Sequence, residues 1–273
     1  MKIAVIGDNC IDIYPKLDKK YPTGNIVDTG VNLKILGASV SVISTTGSDF
    51  HGRWMYESLQ KAGLDVSHLK VENGATAVTY MDMNGLDRVH GEYLEGVLET
   101  MSFDEEDISF CTKHDWVHSA IWGMAENTLE HIKKQQVPIS FDYSNQLEHP
   151  LVEKTLPFVD YGFFSYPAGR DAYIEQYLKD KVDRGMKVAV ATFGDQGSLA
   201  YDGARFYRGQ IVQANLVNTV GAGDSFIAGF IYEYSMSGSI EQALDKGAQV
   251  AAKVVSVFGP WQGCPVIPAW QEW

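Results

Sequence analysis

Ile3-Ala4-Val5-Ile6-Gly7-Asp8 places four consecutive apolar residues before a glycine and an acid. A run this short, apolar on both faces and closed by Gly-Asp, is the pattern of a strand buried between two layers. Outward from it, strand and helix patterns alternate. Val27, Val31 and Ile35 recur at i, i+4 and i+8 and predict a helix running to about Gly37. Residues 40–45 read as a strand stopped at Gly47, and Met55, Leu59 and Ala62 as a helix stopped at Gly63. Then follow a strand at 116–118, a helix at 125–136, and strands at 138–141 and 161–164. A helix through Ile174, Tyr177, Leu178 and Val182 precedes a buried strand at 188–192. Phe226, Phe230 and Tyr234 mark one late helix, and Ile240, Ala243, Leu244, Gly247, Ala248, Ala251 and Val255 mark another. Such alternation predicts an α/β fold with a mostly parallel central sheet covered by helices on both faces.

Two stretches break the rhythm. Residues 198–201 and 204–207 flank Asp202-Gly203, a two-residue hairpin signal. Residues 76–93 alternate with period two around Asn84-Gly85. There Thr76, Val78 and Tyr80 face one way and Ala77, Thr79 and Met81 the other. This is an inserted antiparallel hairpin, either an edge decoration or a lid over a site at the strand ends.

Composition bounds the partners. With 45% apolar and 21% charged residues over 273 positions, the chain is long and apolar enough to bury a core. Its 22 Lys+Arg against 35 Asp+Glu leave a formal net charge of −13, which opposes binding to nucleic acid or an anionic membrane. No stretch approaches the ~20 apolar residues of a membrane span. Cys10, Cys111 and Cys264 form no CxxC pair, so a disulfide framework is not expected and a reducing, cytoplasmic setting fits better. The apolar run at the N-terminus is too short for a signal peptide. No HExxH, Cys/His zinc spacing, GxSxG or GxxxxGK[ST] occurs, and metal ligands cannot be assigned. His118 reads as a core residue, and the tryptophans at 261, 270 and 273 as packing or subunit contacts.

Chemistry concentrates in Asn218-Thr219-Val220-Gly221-Ala222-Gly223-Asp224-Ser225-Phe226. Small residues directly before a helix leave backbone N–H groups exposed at the positive end of its dipole, a cradle for a phosphoryl group. Asp224 then lies in the first turn, where its carboxylate can accept the proton of an attacking hydroxyl. The same stretch also fits a plain glycine turn with a capping Asp. Thr192-Phe193-Gly194-Asp195-Gln196-Gly197 follows a buried strand and is either a ligand-binding turn or a strand-to-hairpin turn. Asn9 and Asp12, after the first strand, either hydrogen-bond sugar hydroxyls or cap turns. Thr23-Gly24-Asn25 and Asp28 open the next helix and can add to the same pocket.

Taken in order, these segments resemble the ribokinase/pfkB family of carbohydrate kinases over essentially the whole chain. Gly47-Ser48-Asp49-Phe50-His51-Gly52 and Leu59-Gln60-Lys61-Ala62-Gly63-Leu64-Asp65 add to the likeness, and Gly221-Ala222-Gly223-Asp224 is its most specific part. The resemblance implies a three-layer, ribokinase-like fold, with residues 1–273 one kinase domain and a small β-sheet lid from about 10–23 and 74–100. It implies ATP with Mg²⁺ as phosphoryl donor and Asp224 as catalytic base beside the cradle of Gly221, Ala222 and Gly223. Thr192, Gly194, Gly197 and Asn218 are then expected along the nucleotide, and Asn9, Asp12, Gly24, Asn25 and Asp28 around the sugar. A homodimer through the lid is also implied.

Within the family, Gly7-Asp8-Asn9-Cys10-Ile11-Asp12-Ile13-Tyr14-Pro15, Asp87-Arg88-Val89, Tyr93, Glu95-Gly96-Val97 and Ala120-Ile121-Trp122-Gly123 are similar to the branch that phosphorylates C6 of fructosamines such as fructoselysine. In that reading Arg88 meets the substrate carboxylate and Glu92 or Glu95 its ammonium. Other ketoses (fructose, 2-keto-3-deoxygluconate) and a non-catalytic sensor on the same fold are the alternatives. Three positions depart from the family pattern. Asn218 replaces an Asp near a monovalent-cation site, which weakens the expectation of potassium activation. Ser165-Tyr166-Pro167-Ala168 lacks both polar groups of the Asn-x-x-Glu associated with magnesium. Asp28 stands where Asn is usual in the sugar motif.

Overall fold

The computed structural model describes residues 1–84 and 87–271, with the side chains at 84, 87 and 88 outside the description. Gly85 of the expected Asn84-Gly85 turn, the Arg88 side chain and Trp273 therefore lie outside the described residues. The chain begins with β1 (Lys2–Ile6), β2 (Cys10–Tyr14), β3 (Lys19–Thr23), α1 (Asn25–Ile35), β4 (Ser39–Gly47), α2 (Phe50–Lys61) and β5 (Asp65–Glu72). It continues through β6 (Val78–Asn84), β7 (Asp87–Leu94), α3 (Glu105–Cys111), β8 (Trp116–Ala120), α4 (Leu129–Lys134), β9 (Ile139–Asp142) and α5 (Pro150–Thr155). It closes with β10 (Tyr161–Ser165), α6 (Ala172–Asp183), β11 (Val188–Thr192), β12 (Ser198–Tyr201), β13 (Phe206–Gly209), α7 (Ala222–Ser237) and α8 (Ile240–Val254).

The large sheet runs β13-β12-β11-β10-β9-β8-β1-β4-β5, parallel from β11 to β5 and antiparallel at β12 and β13. The pleat of β1 explains the layers. Ile3 and Val5 point to one side, into a core with Val27 and Val31 of α1, Met55 and Leu59 of α2, Phe230 of α7 and Leu244 of α8. Ala4 and Ile6 point to the other, toward Cys111 of α3, Ile132 of α4, Val152 of α5 and Ile174 of α6. One strand apolar on both faces thus holds two helical layers apart. The direction of strand order reverses at β1, with β4 on one side and β8 on the other, so a crevice opens beyond the carboxyl ends of these strands.

The smaller sheet runs β3-β2-β6-β7. Its register pairs Asp12 with Thr79 and Ile13 with Tyr80, giving the two faces expected from the alternation. Tyr14, Tyr21 and Met81 pack on Val220, and the rings of Tyr14 and Tyr21 meet Phe258 at 5.6 and 5.7 Å. The lid therefore rests on the loop that leads into α7. Its outer edge is strapped by the C-terminal segment, where Lys20 and Ile267 exchange both backbone hydrogen bonds and Asp18 Oδ1 accepts from Ala269 N–H.

Three local expectations are corrected. The 204–207 strand is shifted to β13, leaving a four-residue connection, because Asp202 Oδ1 accepts from both Ala204 and Arg205 N–H and holds them in the turn. The helix expected from residue 125 begins at Leu129, since Ala125 and Thr128 form a turn closed by the Thr128 hydroxyl on the Ala125 carbonyl. The tail tryptophans divide: Trp261 is buried, whereas Trp270 is 75% exposed and packs little.

Helix α7 is apolar nearly all round and lies between α1 and α8. It crosses α8 at Gly229 and Gly247, where a β-carbon on Gly229 would stand 2.8 Å from Gly247 Cα. Gly229→Ala must push the helices apart, with an expected cost of about 1–3 kcal/mol. Urea unfolding read by circular dichroism measures it, and an unchanged midpoint would show that the crossing has slack.

Candidate active site

Gly221 caps the start of α7 with φ of +71°, and a β-carbon there would sit 2.6 Å from Pro260 O. Glycine is required on both counts. Ala222 follows at the first helical position, and Gly223 is exposed with open space where a side chain would project. Ala222 N–H donates to Thr219 O at 3.3 Å and the first intrahelical bond runs from Ser225 N–H to Gly221 O, so the Gly223 amide lies between them at the positive end of a 16-residue helix. This small-residue cradle fits an anionic phosphoryl group. Just upstream, Ile211, Val212, Leu216 and Val217 are exposed, an apolar surface suited to a base ring.

Asp224, half-buried in the first turn of α7, faces the N-terminus of α1. Asn25 Nδ2 donates to Asp224 Oδ1 and to Asp142 Oδ2, each at 3.3 Å, and Thr29 Oγ1 donates to Asp224 O at 3.4 Å. The backbone of α1 is anchored from β1: Asp8 Oδ2 accepts from Asn25 N–H at 3.0 Å. Gly24, with φ of +137°, lets that approach occur, since a β-carbon would stand 2.8 Å from Asn9 Cα. Asp28 Oδ2 accepts from the Thr23 hydroxyl at 2.7 Å.

The site thus gathers carboxyls from the ends of β1 and β9, from α1 and α7, and from Asp12 in the lid. Burial raises the pKa of Asp8 above the usual carboxylate range. Asp28 is raised further, first by burial and then by the charge of Asp224, with Asp12 and Asp8 adding to the rise against the Thr23 hydrogen bond. Asp142 is pushed up to about 6 by burial, with Asp8 contributing, against hydrogen bonds from Ser144 and Asn25.

The expected residues separate into groups. Asp12, Gly24, Asn25, Asp28 and Asp224 come together with the 221–223 cradle. Asn9 is fully buried, its Nδ2 donating to Ser44 Oγ and Thr45 O while Oδ1 has no partner among the described residues. Thr192, Gly194 and Gly197 form the turn at the carboxyl end of β11, and among the described residues no hydrogen bond joins them to the Asp224 cluster. Asn218 is buried beneath the cradle, its Oδ1 accepting from Val220 N–H at 2.8 Å and its Nδ2 without a partner among the described residues. Glu92 is exposed and is not brought to the cluster. Its neighbour Tyr93 is half exposed on β7, opposite Thr79 of β6. Among the described residues, no three His, Cys, Asp or Glu side chains are grouped to hold a metal ion.

Asp8 and Asp142 join the cluster through Asn25, although neither is assigned a site role from the sequence. For the two acids a signal existed: each ends or follows a buried parallel strand, where α/β sheets place ligands. His118 is core, as its apolar surroundings suggested: Nδ1 bonds Ser140 Oγ and burial depresses its pKa to about 3.

An acid beside a helix-start anion cradle, under a small sheet and at a topological switch point, defines a phosphoryl-transfer enzyme of the ribokinase-like type. The chain belongs to the pfkB family of carbohydrate kinases, whose sequence pattern matches residues 2–265, and it is an ATP-dependent sugar kinase. It is 37% identical over 259 residues to fructoselysine 6-kinase of Escherichia coli, covering 95% of this chain and 99% of that one. It is 33% identical over 265 residues to the fructosamine kinase FrlD of Bacillus subtilis, covering 95% and 92%. Among solved structures, Arabidopsis thaliana ribokinase complexed with ribose and ATP superposes with a TM-score of 0.83 over 94% of this chain and 93% of that one. At 19% identity this likeness speaks for the fold alone.

The raised carboxyls set a pH dependence. A carboxyl whose folded pKa exceeds its unfolded value of about 3.9 stabilises the fold while protonated, and loses that contribution as pH rises through the folded value. For Asp142 the loss between pH 5 and 7.5 is about 1–2 kcal/mol. Asp142→Asn should flatten the pH dependence of urea stability over this interval by a similar amount, and an unchanged slope would place the titration elsewhere.

Proposed function

We propose that this enzyme transfers the γ-phosphoryl of ATP to the C6 hydroxyl of a fructosamine such as fructoselysine, with Asp224 as catalytic base. The observation that carries the mechanism is the Asp224 carboxylate in the first turn of α7, immediately after the Gly221-Ala222-Gly223 cradle. Asn25 holds one carboxylate oxygen, and the sugar hydroxyl delivers its proton to the carboxylate as it attacks phosphorus. The amides of the cradle stabilise the charge that develops on the transferring group. Asp12, Gly24, Asn25 and Asp28 line the sugar, with Asn9 bracing the turn beneath them. The lid, residues 10–23 and 74–100 of a single kinase domain, excludes water from the attack.

Identity of 33–37% to kinases of fructoselysine and fructosamines supports the substrate class. The concentration of carboxyls supports it too, because an amine-bearing ketose brings a cation into an acidic crevice. Arg88, Glu92 and Glu95 on the lid are proposed for the amino-acid end of the substrate. Thr192, Gly194, Gly197 and the exposed apolar side chains before the cradle are proposed for the nucleotide. Magnesium belongs to the donor as MgATP. The described side chains do not themselves form a cage for it. Asn218 braces the cradle by its Val220 hydrogen bond, and no monovalent-cation role is assigned to it. Tyr80, Val89 and Leu94 are exposed on the lid. We propose the lid as a surface for pairing with a second copy. A cytoplasmic setting suits the three free cysteines.

Asp224→Asn should lower kcat by about 10²- to 10⁴-fold with the melting temperature retained. Near-normal turnover would refute the base assignment. Phosphate transfer assayed on fructoselysine, fructose and 2-keto-3-deoxygluconate, with the phosphorylated carbon located by NMR, should favour the fructosamine and C6. Preference for either plain sugar acid or ketose would move the enzyme to another branch of the family.

A further inference from the structure

Asn25 is bonded to two carboxyls, one from the central sheet and one from a helix packed on it. Its Nδ2 lies 3.3 Å from Asp142 Oδ2 at the end of β9 and 3.3 Å from Asp224 Oδ1 in α7. A primary amide carries two N–H bonds on one side and a carbonyl oxygen on the other. With both N–H bonds directed at acids, the flipped amide is excluded, since it would set Oδ1 against two carboxyls. Asn25 cannot rotate to release Asp224 without also breaking from Asp142.

Asp142 is itself firmly held. It is 7% exposed, its Oδ1 accepts from Ser144 N–H at 2.8 Å, and its backbone carbonyl accepts from Ile121 N–H at 2.8 Å. The contacts recorded for its carboxyl go to Ser144 and Asn25. Asn25 Nδ2 is the hydrogen-bonded link between Asp142 and Asp224.

We propose that Asp142 is a positioning residue for phosphoryl transfer: through Asn25 it fixes the orientation in which Asp224 receives the hydroxyl proton. The proposal rests on Asp224 being the base. A carboxylate that must meet a particular hydroxyl loses rate when its angle is free, and misplacement on the scale of 1 Å can cost about 100-fold. Asp142 thereby affects the rate of the chemical step without contributing to sugar affinity.

The test is a double-mutant cycle on kcat and KM with Asp142→Ala, Asn25→Ala and the pair, beside Asp224→Asn in the same assay. Asp142→Ala should lower kcat about 10- to 100-fold, with KM for the sugar changed less than about threefold. The double variant should be no slower than Asn25→Ala alone, because both act through one contact. Asp142→Asn, which retains an oxygen acceptor at that position, should recover part of the lost rate. If Asp142→Ala fails to fold, the same cycle is run with Asp142→Ser, whose shorter side chain keeps a polar group for Ser144 N–H but does not reach Asn25, with the same outcomes expected. Losses that multiply in the double variant, or a loss confined to KM, would overturn the positioning role. Should Asp224→Asn keep its turnover, the base assignment is what fails, whatever the cycle shows.

Discussion

Crowding of carboxyl groups at the strand ends is the constraint around which this molecule is arranged. Asp8, Asp28 and Asp142 are nine-tenths or more buried, and Asp224 lies among them. Burying acids is expensive unless they are hydrogen-bonded or protonated, and both solutions are used here. Asp8 caps the start of α1, Asp142 caps its own turn at Ser144, and Asp28 accepts a hydrogen bond from the Thr23 hydroxyl. The acids are tolerable because each also has backbone or hydroxyl work to do, and together they leave Asp224 in an environment already short of positive charge.

The two-sided sheet supplies the rigidity this needs. Strand β1 is completely buried along Ile3 to Ile6, so Asp8 just beyond it is carried by a fixed support. Helix α7, buried through Phe226 to Ile231, does the same for Asp224 from the opposite end of the chain. Sites on such elements are held more tightly than sites on loops. The phosphate cradle depends on the same packing, since Gly221 has no room to move between its own helix and Pro260.

Much of this was legible in the sequence, for physical reasons that differ by residue. The β1 run and the 188–192 strand could be read because a buried parallel strand leaves an unbroken apolar signature. Gly221-Ala222-Gly223-Asp224 could be read because a helix that starts at a left-handed residue packed on backbone demands glycine there, as at Gly221. β5 and the short helices α3 and α5 were not anticipated: half-exposed elements with mixed composition leave weak periodicity. Asp142 was passed over because a lone acid after a strand resembles any turn, and its partner Asn25 lies 117 positions away. The Asp202 connection misled for the opposite reason, a strong local signal overridden by a side chain that captured two amides at once.

The strap between Ile267 and Lys20 bears on how the protein is made. Strands β2 and β3 leave the ribosome well before the segment that completes their edge. Until it arrives, the nascent chain presents an unpaired strand edge beside an open acidic crevice. Such edges invite association with other chains. Closure of the smaller sheet is thus coupled to a segment about 250 positions further along the chain, and loss of that segment leaves the β3 edge unpaired.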